Sequence, residues 1–89
     1  MTWYVRGRDV LDRVEQHPDE AVRREFYRLL ADLAEDPRDE ARQRRLGVMP
    51  LKGVDERRRS FSVPFDDAIL AYVLTLDQPV ILLIDIVWL

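Results

Sequence analysis

The spacing of apolar residues changes along this chain, and the change restricts the folds open to it. Between positions 22 and 33 the apolar residues recur at the 3.6-residue period of one helix face: Val22, Phe26, Leu29, Leu30 and Leu33. From position 60 onwards they alternate with small or polar residues, at the two-residue period of a β-strand: Phe61, Val63 and Phe65. Because 89 residues have room for one core, we expect a single α+β domain over residues 1–89.

The first half of the chain predicts a short strand and two helices. Residues 3–5 are β-prone and are followed by Gly7, and Asp9 can cap a first helix that stops before Pro18. The second helix begins with the Pro-Asp-Glu run at positions 18–20. It ends at Asp36, which Pro37 follows. A proline turn between two helices predicts a helical hairpin.

The second half predicts a three-stranded antiparallel meander. Residues 38–45 suit one helical turn, and residues 46–53 read as a connector with two glycines and a proline. Asp66 and Asp67 form the turn after the alternating strand, where Pro64 suggests an edge or a bend. The stretches 68–76 and 80–89 are apolar on both faces, but the hairpin can cover only one face. We expect the other face to need a partner, a second copy or an unforeseen element.

Composition excludes several classes of site. The chain has no cysteine and one histidine, so we expect no disulfide, no thiol nucleophile, no metal site and no cofactor. The first ten residues lack the apolar run of a signal peptide, and the apolar run 79–89 has about half the length of a membrane span and carries Asp85. We therefore predict a cytoplasmic protein that does not enter membranes. A carboxylate such as Asp85 is costly inside an apolar strand, so we expect it to bond an arginine or a backbone group, or to lie at an exposed edge.

Positive charge is concentrated in the middle of a chain whose net charge is -3. Residues 42–59 contain seven basic and two acidic side chains, whereas residues 65–89 contain four aspartates and no base. The basic segment, which includes Arg44 and Arg45, could attract RNA or an acidic protein. It could equally be an ordinary solvated surface.

Four short features occur in an order that is typical of one toxin family. Asp36 and Pro37 close the second helix, Pro-Leu-Lys-Gly occupies positions 50–53, three arginines at 57–59 open a strand, and Tyr72 lies in the middle strand of the meander. Over nearly its whole length the chain resembles the RelE/ParE toxin superfamily of type II toxin-antitoxin systems. The resemblance implies an N-terminal strand, a helical hairpin and the meander.

The resemblance also implies site residues, although much of the nuclease machinery is missing. RNA-cleaving branches of the superfamily cut messenger RNA on the ribosome, which requires a base, an acid and cations beside the phosphate. Lys52, Arg57, Arg58 and Arg59 match basic positions of the family, and Tyr72 matches its strand tyrosine. The candidate residues for catalysis are Lys52, Arg57, Arg59 and Tyr72. Those for binding RNA or a partner are Arg44, Arg45, Lys52, Arg57, Arg58 and Arg59, of which Arg44 and Arg45 come from the charge distribution alone. Met49 replaces a glutamate and Ile69 an arginine of nuclease branches. The C-terminal proton-exchanging cluster aligns with residues 87–89, which cannot exchange a proton. Tyr72 is either a packed strand residue or a catalytic one.

Three functions follow from these features. The first is a toxin-like protein that acts by binding and is neutralised by an antitoxin, and inhibition of gyrase falls in this class because a binding poison needs neither acid nor base. The second is a ribosome-dependent endoribonuclease that uses Lys52 and residues 57–59. The third is a non-toxic homodimer with a structural or regulatory role. The missing acid and base favour a protein that is not an enzyme.

Overall fold

The structure, a computed structural model, describes residues 2–51, 59–75 and 77–89. Within these ranges, three helices and five strands follow one another. In chain order they are β1 (Tyr4–Arg6), α1 (Arg8–Glu15), α2 (Glu20–Glu35), α3 (Glu40–Leu46), β2 (Met49–Pro50), β3 (Arg59–Phe65), β4 (Ala68–Leu74) and β5 (Val80–Trp88). The strands form one sheet in the order β1-β5-β4-β3-β2, in which β1 is parallel to β5 and all other neighbours are antiparallel.

The first strand and helix follow each other without a linker. Gly7, and not Asp9 as expected, is the N-cap of α1, and Asp9 lies in the first helical turn. The reason is steric. Gly7 has φ +145°, and a Cβ added to it would lie 2.5 Å from the Cβ of Leu83 in β5. Only glycine fits at this approach and at this φ, so the helix begins directly after the strand.

The helical hairpin is confirmed. The Asp19 side chain accepts a hydrogen bond from the Ala21 backbone N–H at 2.9 Å and caps α2, which ends where Asp36 leaves helical geometry. The single turn expected from residues 38–45 is instead the seven-residue helix α3. Asp39 caps its start, and Gly47, with φ 80°, ends it in left-handed geometry.

The C-terminal meander β3-β4-β5 is also confirmed, with Asp66 at φ 47° in the turn between β3 and β4. The connector expected at residues 46–53 is wrong in part, because Met49 and Pro50 form β2 and pair with Ser62 and Phe61. This strand stops short of Pro64, so the proline's missing N–H costs the sheet no bond on that side. Leu76, which was expected at the end of the middle strand of the meander, lies outside the described residues.

The core lies between the helices and one face of the sheet. All buried residues of α1 and α2 belong to one cluster, which also contains alternate residues of the meander: Val63, Phe65, Ala68, Leu70, Tyr72, Leu74, Ile81, Leu83 and Ile86. We call this side of the sheet the inner face. The opposite side, the outer face, carries the intervening residues, among them Pro64 of β3, Ile69 and Ala71 of β4, and Leu82 and Val87 of β5.

Candidate functional site

The basic positions implied by the family resemblance fall largely outside the part of the chain that the structure describes. Lys52, Arg57 and Arg58 lie outside the described residues. Arg59 is the first residue of β3 and is paired with Leu74 of β4. The backbone therefore places the last arginine of the basic run at the end of the sheet where β4 finishes.

The α3 arginines serve the fold as well as the surface. Both Nη atoms of Arg45 contact the carboxylate of Asp32 at 2.8 Å, in the bidentate geometry of a strong ion pair. Arg42 reaches the same carboxylate through Nε at 3.1 Å and Glu35 through Nη2 at 3.2 Å. The Arg45 hydrogen bond, helped by the charge of Arg42, holds the pKa of Asp32 below its usual range. Arg45, a predicted binding residue, is thus already bonded to α2.

Arg44 occupies a different environment from Arg45. Its side chain is exposed in the last turn of α3, and no carboxylate of the described ranges lies within ion-pair distance of it. Of the two α3 arginines predicted to bind a partner, Arg45 is thus bonded to a described carboxylate and Arg44 is not.

Tyr72 lies in the core. Its side chain is 0% exposed on the inner face and stacks on Phe61 with ring centroids 5.6 Å apart. The hydroxyl has no hydrogen-bond partner among the described residues, and burial raises the pKa of the phenol. An acid or base must reach its substrate within hydrogen-bond distance. The position of Tyr72 fits the packing interpretation, and in this conformation its hydroxyl is closed to solvent.

The C-terminal positions lie far from Arg59. Trp88 pairs with Ala68, which also pairs with Phe65 at the far end of β3. Phe65 lies six residue steps along the extended strand from Arg59, a distance of about 20 Å at about 3.3 Å per residue. The backbone therefore places positions 87–89 and the first residue of β3 at opposite ends of the meander.

His17 contacts the C-terminal strand, which the sequence did not indicate. Its ring lies 4.7 Å from that of Trp88, and its Nδ1 accepts a hydrogen bond from the Asp19 backbone N–H at 3.0 Å. The second contact makes His17 a capping residue at the turn that precedes α2. The first joins residues 71 positions apart, and no local pattern reports such a pair.

Asp85 is paired, as expected for a carboxylate in an apolar strand. It accepts hydrogen bonds from Arg13 at 2.7 Å and from the backbone N–H of Ile86 at 2.8 Å, and its side chain is 53% exposed. These two bonds lower the pKa of Asp85, with the larger effect from Arg13. The residue lies beside a β-bulge, where Ala71 pairs with Asp85 but Tyr72 pairs with Leu83.

The outer face carries an uncovered apolar strip. Val87, Ile69 and Pro64 are paired in one row across β5, β4 and β3. Ile69 is 37% exposed, Val87 is 51% exposed and Ile84, in the bulge beside them, is 51% exposed. We call Pro64, Ile69, Ile84 and Val87 the apolar strip. The sequence-based expectation that one sheet face lacks a cover holds for this part of the outer face.

The described ranges contain neither a side-chain cluster that could hold a metal ion nor a helix that could span a membrane. No group of three or more histidine, aspartate or glutamate side chains in these ranges is arranged to hold a metal ion. None of the helices in the described part of the chain is both long and apolar enough to cross a membrane.

The fold is similar to that of a chain in the crystal structure of the archaeal RelE-RelB complex from Pyrococcus horikoshii OT3. The TM-score is 0.80, the match covers 99% of this chain and 96% of that chain, and the sequence identity is 19%. No protein-family model matches the sequence, and no curated protein matches it. The chain therefore has a RelE-like α+β fold, which confirms the fold class expected from the sequence.

Proposed function

We propose that this chain is the toxin-like component of a type II toxin-antitoxin pair, that it acts by binding, and that an antitoxin segment covers its apolar strip. The exposure of Ile69, Ile84 and Val87 carries the proposal. Contiguous apolar side chains on a sheet face are a feature of protein-protein contact sites. The neighbour of known structure occurs in a complex of RelE with RelB, which is consistent with a protein partner for this fold.

The chemistry of the described residues favours binding over cleavage. Met49 and Ile69 stand where nuclease branches of the resembled family have a glutamate and an arginine, and neither can move a proton. The Tyr72 hydroxyl is enclosed in the core. Proton transfer contributes about 100-fold or more to such reactions, so cations alone would leave a weak catalyst. A binding poison needs no acid or base.

The test is co-expression with the product of the adjacent gene, with one variant that alters the strip and one that does not. In Ile69→Lys/Val87→Lys two charges enter the apolar strip. Tyr27→Lys is the matched control, because Tyr27 is 42% exposed on α2, on the helical side, and lysine can still pair with Glu15. We expect the neighbour to co-purify with the wild type and with the control but not with the strip variant. Equal co-purification of all three would contradict the assigned surface, and unaffected growth on expression of the chain alone would contradict the toxin assignment.

A second measurement separates binding from cleavage. Primer extension on translating ribosomes is run with the wild type and with a variant in which Lys52, Arg57, Arg58 and Arg59 are alanine. The proposal predicts no new cleavage sites in either case. Cleavage that disappears in the alanine variant would instead establish the ribosome-dependent nuclease. Growth arrest with protein synthesis intact and DNA replication blocked would point to a gyrase-type target.

A further inference from the structure

The edge of the sheet beside β5 is only partly covered. On the side away from β4, strand β1 pairs with Val80, Ile81 and Leu82, and no other strand of the described ranges continues this pairing towards Trp88. A strand edge with unpaired N–H and C=O groups is a template for another strand. Asp85 is the only charged residue between Val80 and Leu89, so the segment has the apolar composition of sequences that pair with copies of themselves.

Ile86 lies at the centre of this edge, and both its backbone N–H and its backbone carbonyl are already hydrogen-bonded to side chains. Its N–H donates to Oδ1 of Asp85 at 2.8 Å, and its carbonyl accepts from Nη1 of Arg13 at 3.5 Å. Arg13 and Asp85 are joined to each other at 2.7 Å. In an antiparallel ladder both polar groups of one residue point to the same side. Those of Ile86 therefore point away from β4, and two side chains hold the positions that the backbone of an added strand would take.

Stability does not account for this arrangement. The side chains of Arg13 and Asp85 are 46% and 53% exposed, and an ion pair this open to water contributes little to folding. Charged side chains and bulges at an open edge are the usual means by which sheet proteins prevent strand addition, and Asp85 combines both.

We infer that Arg13 and Asp85 close the β5 edge to the β5 strand of a second copy of this chain. The sequence of β5 indicates which strand would pair with this edge. An antiparallel pair of β5 strands centred on Ile86 places Asp85 opposite Val87 and Ile84 opposite Trp88, so two copies meet without opposing like charges. Without the two side chains, the copies join into a continuous sheet. This inference does not depend on the proposed function, because it concerns backbone pairing along the β5 edge, although Ile84 borders both that edge and the apolar strip.

Molar mass measured by light scattering over a range of concentrations tests the inference. We expect Asp85→Ala and Arg13→Ala to form dimers or larger species at concentrations where the wild type keeps a lower mass, with unchanged far-UV circular dichroism. The two substitutions change the net charge in opposite directions, so a shared rise in mass cannot come from net charge. The control is Glu20→Ala/Arg24→Ala, which removes an exposed ion pair within α2.

A rescue variant identifies the surface that associates. Ile84 is 51% exposed beside the open edge, so Ile84→Lys restores a charge there without disturbing the core. We expect Asp85→Ala/Ile84→Lys to return to the wild-type mass. Asp85→Ala/Ile69→Lys, which places a charge in the apolar strip on β4 and away from the β5 edge, should stay associated. A return of both variants to the wild-type mass would assign the association to the apolar strip and overturn the inference. The inference is overturned if the Asp85→Ala and Arg13→Ala masses equal that of the wild type at every concentration. It is also overturned if the α2 control associates to the same extent, or if the rescue variant stays associated. Arg13→Met, which keeps the aliphatic stem, replaces Arg13→Ala should that variant fail to fold.

Discussion

Replacing Tyr72 by phenylalanine should stabilise the protein. The hydroxyl is buried without a partner among the described residues, and a buried polar group without a hydrogen bond costs about 1–3 kcal/mol. Phenylalanine keeps the ring that stacks on Phe61 at 5.6 Å and removes only the oxygen. Because the site loses some volume, we take the lower end and expect a gain of about 1 kcal/mol. For a domain of this size, that corresponds to a rise in Tm of roughly 4–8 °C.

The same substitution has a predictable pH dependence. Burial raises the pKa of Tyr72 in the folded protein, whereas the phenol of the unfolded chain ionises at about pH 10. Below about pH 10 the phenol is neutral in both the folded and the unfolded state, so its ionisation does not affect stability. As the pH rises from there towards the folded pKa, the phenol ionises only in the unfolded chain, and the folded wild type loses stability. Phenylalanine has no proton to lose. The advantage of the variant over the wild type should grow above about pH 10.

Thermal and urea unfolding at pH 7 and above pH 10 measure both effects. Tyr4→Phe is the matched control, because Tyr4 is 71% exposed and its hydroxyl is free to bond water. Tyr27 also titrates at high pH, since its bond to Glu15 raises the pKa of its phenol, but it is present in both proteins and cancels in their difference. A Tyr72→Phe variant less stable than the wild type by 1 kcal/mol or more would refute the reasoning. Loss of growth arrest in a stable Tyr72→Phe variant would assign the hydroxyl a function that its burial argues against.

Three further substitutions test the fold. Gly7→Ala should lower the free energy of unfolding in urea by about 3 kcal/mol, because a Cβ would lie 2.5 Å from Leu83 and φ is positive. An unchanged midpoint of urea unfolding would refute the close contact between Gly7 and Leu83. Asp32→Asn should cost about 1 kcal/mol at pH 7 through the loss of its bonds to Arg45 and Arg42. Since the pKa of Asp32 is lowered, its stabilisation is present above about pH 4 and is lost as the pH falls, so variant and wild type should converge in acid. Phe26→Ala should cost about 3–5 kcal/mol in thermal unfolding, because Phe26 is 0% exposed in the core, and a loss below 1 kcal/mol would contradict that position.

The elements that the sequence predicted well are those set by local signals. The second helix has an apolar stripe, a capping aspartate and a terminating Asp36-Pro37 pair, so both its ends were predicted to within about two residues. The turn at Asp66 follows from two aspartates between alternating strands. In each case, residues within a few positions of one another determine the geometry.

The features that the sequence missed depend on distant partners. Strand β2 has only two residues and exists because β3 offers it a ladder. The cap of α1 is Gly7 because Leu83, 76 positions later, leaves no space for a side chain. The contact between His17 and Trp88 likewise joins the two halves of the chain. Apolar periodicity and capping rules use only residues that are near each other in sequence. These contacts can be predicted only when the order of the strands is already known.

The basic segment shows why a summed charge overstates what a ligand can reach. Residues 42–59 carry seven basic side chains, but Arg42 and Arg45 bond carboxylates of α2. Those carboxylates lie outside residues 42–59, so the summed charge of the segment does not include them. A polyanion would have to compete with Asp32 for Arg45, because both Nη atoms of Arg45 already bond that carboxylate. The apolar strip faces no such competition, because no described side chain has to leave before a partner docks on it. For this reason we propose the outer face, rather than Arg45, for the first contact with a partner.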